Sequence, residues 1–150
     1  MIKDVEVKNL RVIHDDRGYL MEILRSDEQM FEKFGQVYIT TVYPGVVKGW
    51  HYHKMQTDHI AVISGMAKLV LFDDRENSTT RGDIDEFIIG DKNPMLVKIP
   101  PGVLHGFRAV GPNVAMMLNC PTELYNYDQP DEHRIVPHGE IPYDWSIRDG

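Results

Sequence analysis

The 150-residue chain is 42% hydrophobic and 26% charged, with a formal net charge of −7 and one cysteine, Cys120. These figures fit a single soluble domain, residues 1–150, and exclude a disulfide framework and a general nucleic-acid surface, which would need a basic stripe. No apolar run approaches the roughly 20 residues of a membrane-spanning helix. The first ten residues lack the apolar stretch of a signal peptide, so a cytoplasmic location is expected.

In chain order, "VEVKNLRVI" reads as the first strand. "SDEQMFEKFG" (residues 26–35) reads as one short helix, capped by Ser26 or Asp27 and ended by Gly35. "QVYITTVY", "HIAVISG", "AKLVLF", "DEFIIG", "MLVKIP", "GFRAV" and "VAMMLN" follow as strands, punctuated by "SG", "DDRENSTTRG", "GDKNP" and "PPG". Many short strands with Gly and Pro between them predict an all-β antiparallel barrel or double-sheet jelly roll. The barrel spans about residues 36–120, with strands and the short helix before it. Residues 121–150 carry four of the nine prolines and read as an irregular tail wrapped over the barrel.

Two histidine motifs carry the chemistry. "KGWHYHKMQTDH" places His51 and His53 two apart, on one face of a strand. With Gly45, Asp58 and Gly65 this spacing resembles the first signature of the cupin jelly rolls, with Asp58 in place of Glu. "PPGVLHGF", with Pro100, Gly102 and His105, resembles the second, with Ala109 in place of its final Asn. The resemblance implies a cupin-type double-stranded β-helix with His51, His53 and His105 converging at its mouth. One reading of His51, His53, Asp58 and His105 is a site for one divalent transition metal. The other is a set of hydrogen-bonded, pocket-lining groups.

Five ordered segments narrow the resemblance. "DDRGYLMEILRSD" is similar to D-x-R-G-x-x-x-E, "GVVKGWHYHKMQ" to G-V-L-R-G-L-H-Y-Q, "FDDRENSTTRG" to V-D-x-R-x-x-S-P-T-F-G and "VKIPPGVLHGF" to L-W-I-P-x-G-x-x-H-G-F; "PYDW" closes the set. Together they resemble the dTDP-4-dehydrorhamnose 3,5-epimerase family. The family's chemistry is proton abstraction beside a ketone of a nucleotide-linked sugar by a histidine base. Donors hold the enolate and a tyrosine acid returns the proton on the other face. The resemblance implies His51 as base and no cofactor, with Asp73, matched to the strand-end aspartate of V-D-x-R, or Asp58 to act as the carboxylate that orients it. It implies Lys48, His53, Gln56, Arg75 and His105 as substrate contacts. Arg17 and Glu22 are implied to reach the nucleotide from a neighbouring subunit of a homodimer.

The departures are specific. Lys48 stands for an arginine, His53 for a glutamine, and Asp58 for a lysine near the ketone. Met117 or Leu118 stands for the tyrosine acid, which leaves Tyr125, or Tyr127 beside it, to replace that acid if the tail folds back. His138 stands for the aspartate that orients the base, while Glu123, Asp131 and Glu132 read as solvated tail charges. The leading expectation is a nucleotide-sugar epimerase or isomerase. A metal-dependent cupin and a non-catalytic sugar-binding barrel remain as alternatives.

Overall fold

β-Branched and aromatic residues pack well on a pleated, half-buried surface, and the apolar runs become strands for that reason. The computed structural model describes residues 1–147. Its strands are β1 (Glu6–Asn9), β2 (Val12–Asp15), β3 (Gly18–Met21), β4 (Tyr38–Val42), β5 (Val47–Tyr52), β6 (Asp58–Ser64), β7 (Met66–Asp73), β8 (Ile84–Gly90), β9 (Met95–Ile99), β10 (Val103–Ala109), β11 (Ala115–Asn119) and β12 (His133–Arg134). Two five-stranded antiparallel sheets run β1-β9-β6-β11-β4 and β12-β5-β10-β7-β8, and β2 pairs with β3 in a separate hairpin. The all-β jelly roll expected from the sequence is the fold. The run "VEVKNLRVI" is divided within it: β1 joins β9, Leu10 turns inward against Met30, and β2 departs into the hairpin.

The main core lies between the sheets. Val42, Ile60, Val62 and Met117 from one sheet meet Leu69, Leu71, Val103 and Phe107 from the other. Two smaller clusters cover the outer faces. Leu10 and Met30 lie on Ala61 and Leu96, while Ile141 and Trp145 from the tail lie on Trp50, Val70, Phe72 and Leu104. Strands covered on both faces have no reason to alternate, which is why "AKLVLF" is apolar throughout.

The expected helix at residues 26–35 is absent. The segment makes two isolated turns, with the N–H groups of Glu28 and Phe31 donating to the carbonyls of Arg25 and Glu28. One or two turns of helix do not repay nucleation. This segment is held by other means: Met30 is buried against the barrel, and the Gly35 N–H donates to the Pro121 carbonyl. A Cβ at Gly35 would lie 2.5 Å from the backbone of Glu123, so the two chains meet at backbone distance.

The tail docks as expected. A Cβ at Gly49 would stand 2.4 Å from the Cβ of Pro137, so β5 must be bare where the tail crosses it. Trp50 and Trp145 pack with ring centroids 5.2 Å apart, and Tyr143 meets both rings edge-on. Residues 148–150 of the expected tail lie outside the described residues. Among the described residues no helix is long and apolar enough to cross a membrane.

Candidate active site

Strand alternation builds one end of the barrel into a cavity. Along β5, Trp50 faces the tail cluster while Gly49 and His51 reach the cavity wall, and Lys48 reaches it where an irregularity in the β5–β10 register breaks the alternation. His105 of β10 stands in register with His51, their rings 6.3 Å apart. The facing sheet contributes Tyr38 and Thr40 from β4 and Asn119 from β11. The returning tail closes the wall with Tyr125, Tyr127, Glu132 and Arg134, enclosing about 910 Å³. That volume suits a small-molecule ligand, and apolar walls with a few convergent polar groups are what such a site needs.

His51 has a carboxylate partner. Its Nδ1 lies 3.2 Å from Oε1 of Glu132, and β12 is registered against β5 so that Arg134 pairs with His51. The Arg134 Nε donates to the same Glu132 oxygen at 2.9 Å. Glu132 therefore fixes the proton on Nδ1 and leaves the Nε2 lone pair as the basic atom. Burial pushes the His51 pKa below its usual value; Glu132 opposes the shift and Arg134 adds to it. The ring is thus neutral, as a general base must be, at neutral pH.

Beneath it lies a buried carboxylate. Asp58 is 1% exposed. Its Oδ1 accepts from Gln56 Nε2 at 2.7 Å and Asn119 Nδ2 at 2.8 Å. Its Oδ2 lies 3.2 Å from His53 Nε2 and 3.3 Å from His105 Nε2. Burial would raise the Asp58 pKa, but His53, His105 and Asn119 outweigh it and hold the carboxyl at about 2. Burial would likewise lower His53, yet Asp58 and the Asp131 carbonyl that receives its Nδ1–H raise it to about 9. His105 is held down at about 4, chiefly by burial.

His53, Asp58 and His105 each offer one donor atom within 4.8 Å of the others, so the spacing would admit a divalent cation. The fourth ligand of that reading is not in the group, because His51 is turned to Glu132. Asp58 is already matched by two amide donors and the His53 imidazolium, so the cluster is satisfied by protons. These residues fit a hydrogen-bonded floor better than a four-ligand metal centre.

The structure sorts the other expected residues. Lys48, His53, Gln56, His105 and Tyr125 line the cavity with His51, and Lys48 Nζ donates to Thr40 Oγ1 at 2.9 Å. Tyr125 meets Tyr127 edge-on at 5.0 Å, so the tail does fold back over the mouth. Asp73 and Arg75 require correction, since neither lines this cavity. Asp73 accepts from Arg75 Nε at 2.9 Å, Ser78 Oγ at 2.6 Å and Thr80 Oγ1 at 2.7 Å, and Arg75 Nη2 donates to the Lys3 carbonyl at 2.8 Å. With its lone pairs occupied there, Asp73 clamps the loop after β7 and the chain's first residues. Arg17 and Glu22 also stand apart from their own chain's cavity: Arg17 is paired with Asp15 and Glu22 with Arg25 on the exposed hairpin side.

Glu132 and Asp131 escaped the sequence reading. Their acidic, Pro-flanked context looks like solvated tail. Asp131 in fact accepts the N–H groups of Lys54 and Met55 at 2.8 Å each, pinning the turn that carries His53. Only the pairing of β12 with β5 reveals these roles, and a two-residue strand leaves no periodic trace.

Comparison with known proteins identifies the family. The family model described as dTDP-4-dehydrorhamnose 3,5-epimerase matches residues 1–149. The spore coat polysaccharide biosynthesis protein SpsL of Bacillus subtilis (strain 168) is 44% identical over 147 residues, 97% of each chain. The probable low-salt glycan biosynthesis epimerase Agl13 of Haloferax volcanii is 44% identical over 145 residues, covering 95% of this chain and 89% of that one. The crystal structure of a dTDP sugar isomerase from Desulfovibrio desulfuricans superposes with a TM-score of 0.92 at 32% identity, over 99% of this chain and 94% of that one. With the whole barrel and its tail matched, the chain belongs to the dTDP-4-dehydrorhamnose 3,5-epimerase family of sugar epimerases and isomerases.

Proposed function

We infer that the chain epimerises or isomerises a nucleoside-diphosphate 4-keto-deoxysugar, with His51 as the base. The observation that carries this reading is the His51–Glu132 pair, 3.2 Å apart at the wall of the cavity. His51 Nε2 takes the proton from the carbon beside the ketone, and the electron pair moves to the carbonyl oxygen. Lys48 and Gln56, which line the cavity, supply polar contacts near the developing enolate; His53 and His105 shape the floor. The base is a side chain and the enolate is met by side-chain donors, so this reading invokes no metal or organic cofactor. The names of SpsL and Agl13 support a setting in polysaccharide or glycan biosynthesis, and dTDP is the nucleotide that the family suggests. The lone thiol, Cys120, pushed up in pKa by burial, suits a cytoplasmic setting.

A homodimer completes the proposal. The β2–β3 hairpin carries exposed Ile13, Tyr19 and Leu20, and Arg17 at its tip is 86% exposed. β4 is an unpaired sheet edge with Ile39 exposed. Apolar edges of this kind are usually covered by a partner. The hairpin of a second copy would bring Arg17 and Glu22 to the nucleotide.

Incubating the protein with a panel of dTDP-4-keto-6-deoxyhexoses in deuterated water tests the enzyme reading. The expected result is deuterium uptake beside the ketone, abolished in His51→Asn. No uptake across the panel would overturn it and favour a binding barrel.

A further inference from the structure

Strand β11, where the tyrosine acid is expected, carries none: its sequence is "AMMLN". Its last residue, Asn119, instead stands in register with Tyr38 on β4. The orientation of the Asn119 amide is settled by its neighbours. The His59 backbone N–H donates to Asn119 Oδ1 at 3.0 Å, so that atom is the oxygen. Asn119 Nδ2 then spends its two protons on Asp58 Oδ1 at 2.8 Å and on the Tyr38 hydroxyl oxygen at 3.0 Å. Tyr38 is therefore an acceptor toward Asn119. Its own proton points away from Asn119, on a side chain that lines the cavity.

Placement supports the same role. His51 rises from β5 in one sheet and Tyr38 from β4 in the sheet facing it, and both line the one cavity. Inverting a carbon needs proton removal on one face and delivery on the other, so an acid must face the base across the substrate. Tyr125 and Tyr127 are the competing phenols. Tyr127 is 88% exposed, and neither hydroxyl is held by a hydrogen bond among the described residues. Burial, with the charges of Asp58 and Glu132, raises the Tyr38 pKa against the Asn119 hydrogen bond and keeps its proton in place.

Resting on the enolisation reading above, we propose that Tyr38, held by Asn119, is the proton donor on the face opposite His51. His51 removes the C–H proton and its electron pair passes to the carbonyl oxygen. The enolate carbon then takes the Tyr38 proton and the carbonyl re-forms. Solvent reprotonates the Tyr38 phenolate and takes the proton from the His51 imidazolium.

The test separates exchange from inversion by NMR in deuterated water, using a dTDP-4-keto-6-deoxyhexose that the wild type turns over. Tyr38→Phe should lose inversion by about 100-fold or more, the scale of a missing general acid. It should still exchange the C–H with retained configuration, because His51 can remove and return a proton on its own face. Asn119→Leu should lower the ratio of inversion to exchange in the same direction. Tyr125→Phe should keep the wild-type ratio, whatever its rates. A Tyr38→Phe protein of unchanged thermal stability that keeps the wild-type ratio, or loses exchange as fully as inversion, overturns the assignment, as does loss of the ratio in Tyr125→Phe. A wild type with neither exchange nor inversion across the substrate panel removes the enolisation reading itself, and the role of Tyr38 with it.

Discussion

Two aspartates, Asp58 at the start of β6 and Asp73 at the end of β7, are sealed from water, at 1% and 0% exposure. Each carboxylate is saturated by donors. Around Asp73 the donors are a guanidinium, two hydroxyls and a backbone N–H, all from the following loop. Around Asp58 they are two amides and the His53 imidazolium, drawn from separate parts of the chain, with the neutral His105 ring beside them. A guanidinium keeps its charge at any ordinary pH, so the Asp73 clamp is a fixed joint. Histidines titrate, so the charge on the Asp58 floor responds to pH and to whatever enters above it. Burial and saturation alone do not mark a working carboxylate; the titration range of its partners does.

Removing each carboxylate sharpens the contrast. Asp58→Ala should destabilise the fold by about 3–5 kcal/mol, because it strands His53 as a buried cation, and it should also depress turnover in whatever fraction folds. Asp73→Ala should cost about 1.5–3 kcal/mol from lost charged hydrogen bonds while leaving kcat of the folded protein as in wild type. Denaturant melts with parallel kinetics measure both, and a large fall in kcat for folded Asp73→Ala would break the comparison. Glu132→Gln should lower kcat by about 10–100-fold with little change in stability, the usual scale for losing a carboxylate that orients a working histidine.

The smallest effect expected is a difference in pH response. His53 rises from 6.5 to about 9 on folding, so its contribution is complete below 6.5 and is lost as pH climbs through 9. His105 falls from 6.5 to about 4, so its contribution is complete above 6.5 and is lost as pH drops toward 4. Tm should therefore crest near 6.5 and decline on both sides, with His53→Asn removing the alkaline decline. Asp73, whose pKa is lowered from 3.8, adds slope only below that value. A Tm profile flat between pH 5 and about 9 would show that the floor is as rigid electrically as the clamp.

What the sequence discloses follows the range of each interaction. The strands are legible because residues such as Ile60 and Val62, or Leu69 and Leu71, repeat at close spacing. His51, His53 and His105 are legible because a short motif sets each one. Asp73 and Arg75 are legible as a pair, but a local pair says nothing about which way it faces. The helix over residues 26–35 reads well in isolation and fails because Met30 and Gly35 answer to the barrel and to residue 121. Glu132 meets His51 across a separation of 81 residues, and Asn119 meets Tyr38 across the same distance. No periodicity or spacing carries such a meeting, and tertiary pairing alone creates it.

The docked tail has one more consequence. The chain has two tryptophans, and both lie in the cluster that seats the tail, fully or nearly fully buried, with neither indole N–H bonded among the described residues. The same tail, a few residues earlier, supplies Glu132 and Arg134 to the cavity. Intrinsic fluorescence is therefore an optical gauge of the active-site wall. Blue emission reports a seated tail, and a red shift signals its release before the barrel itself melts.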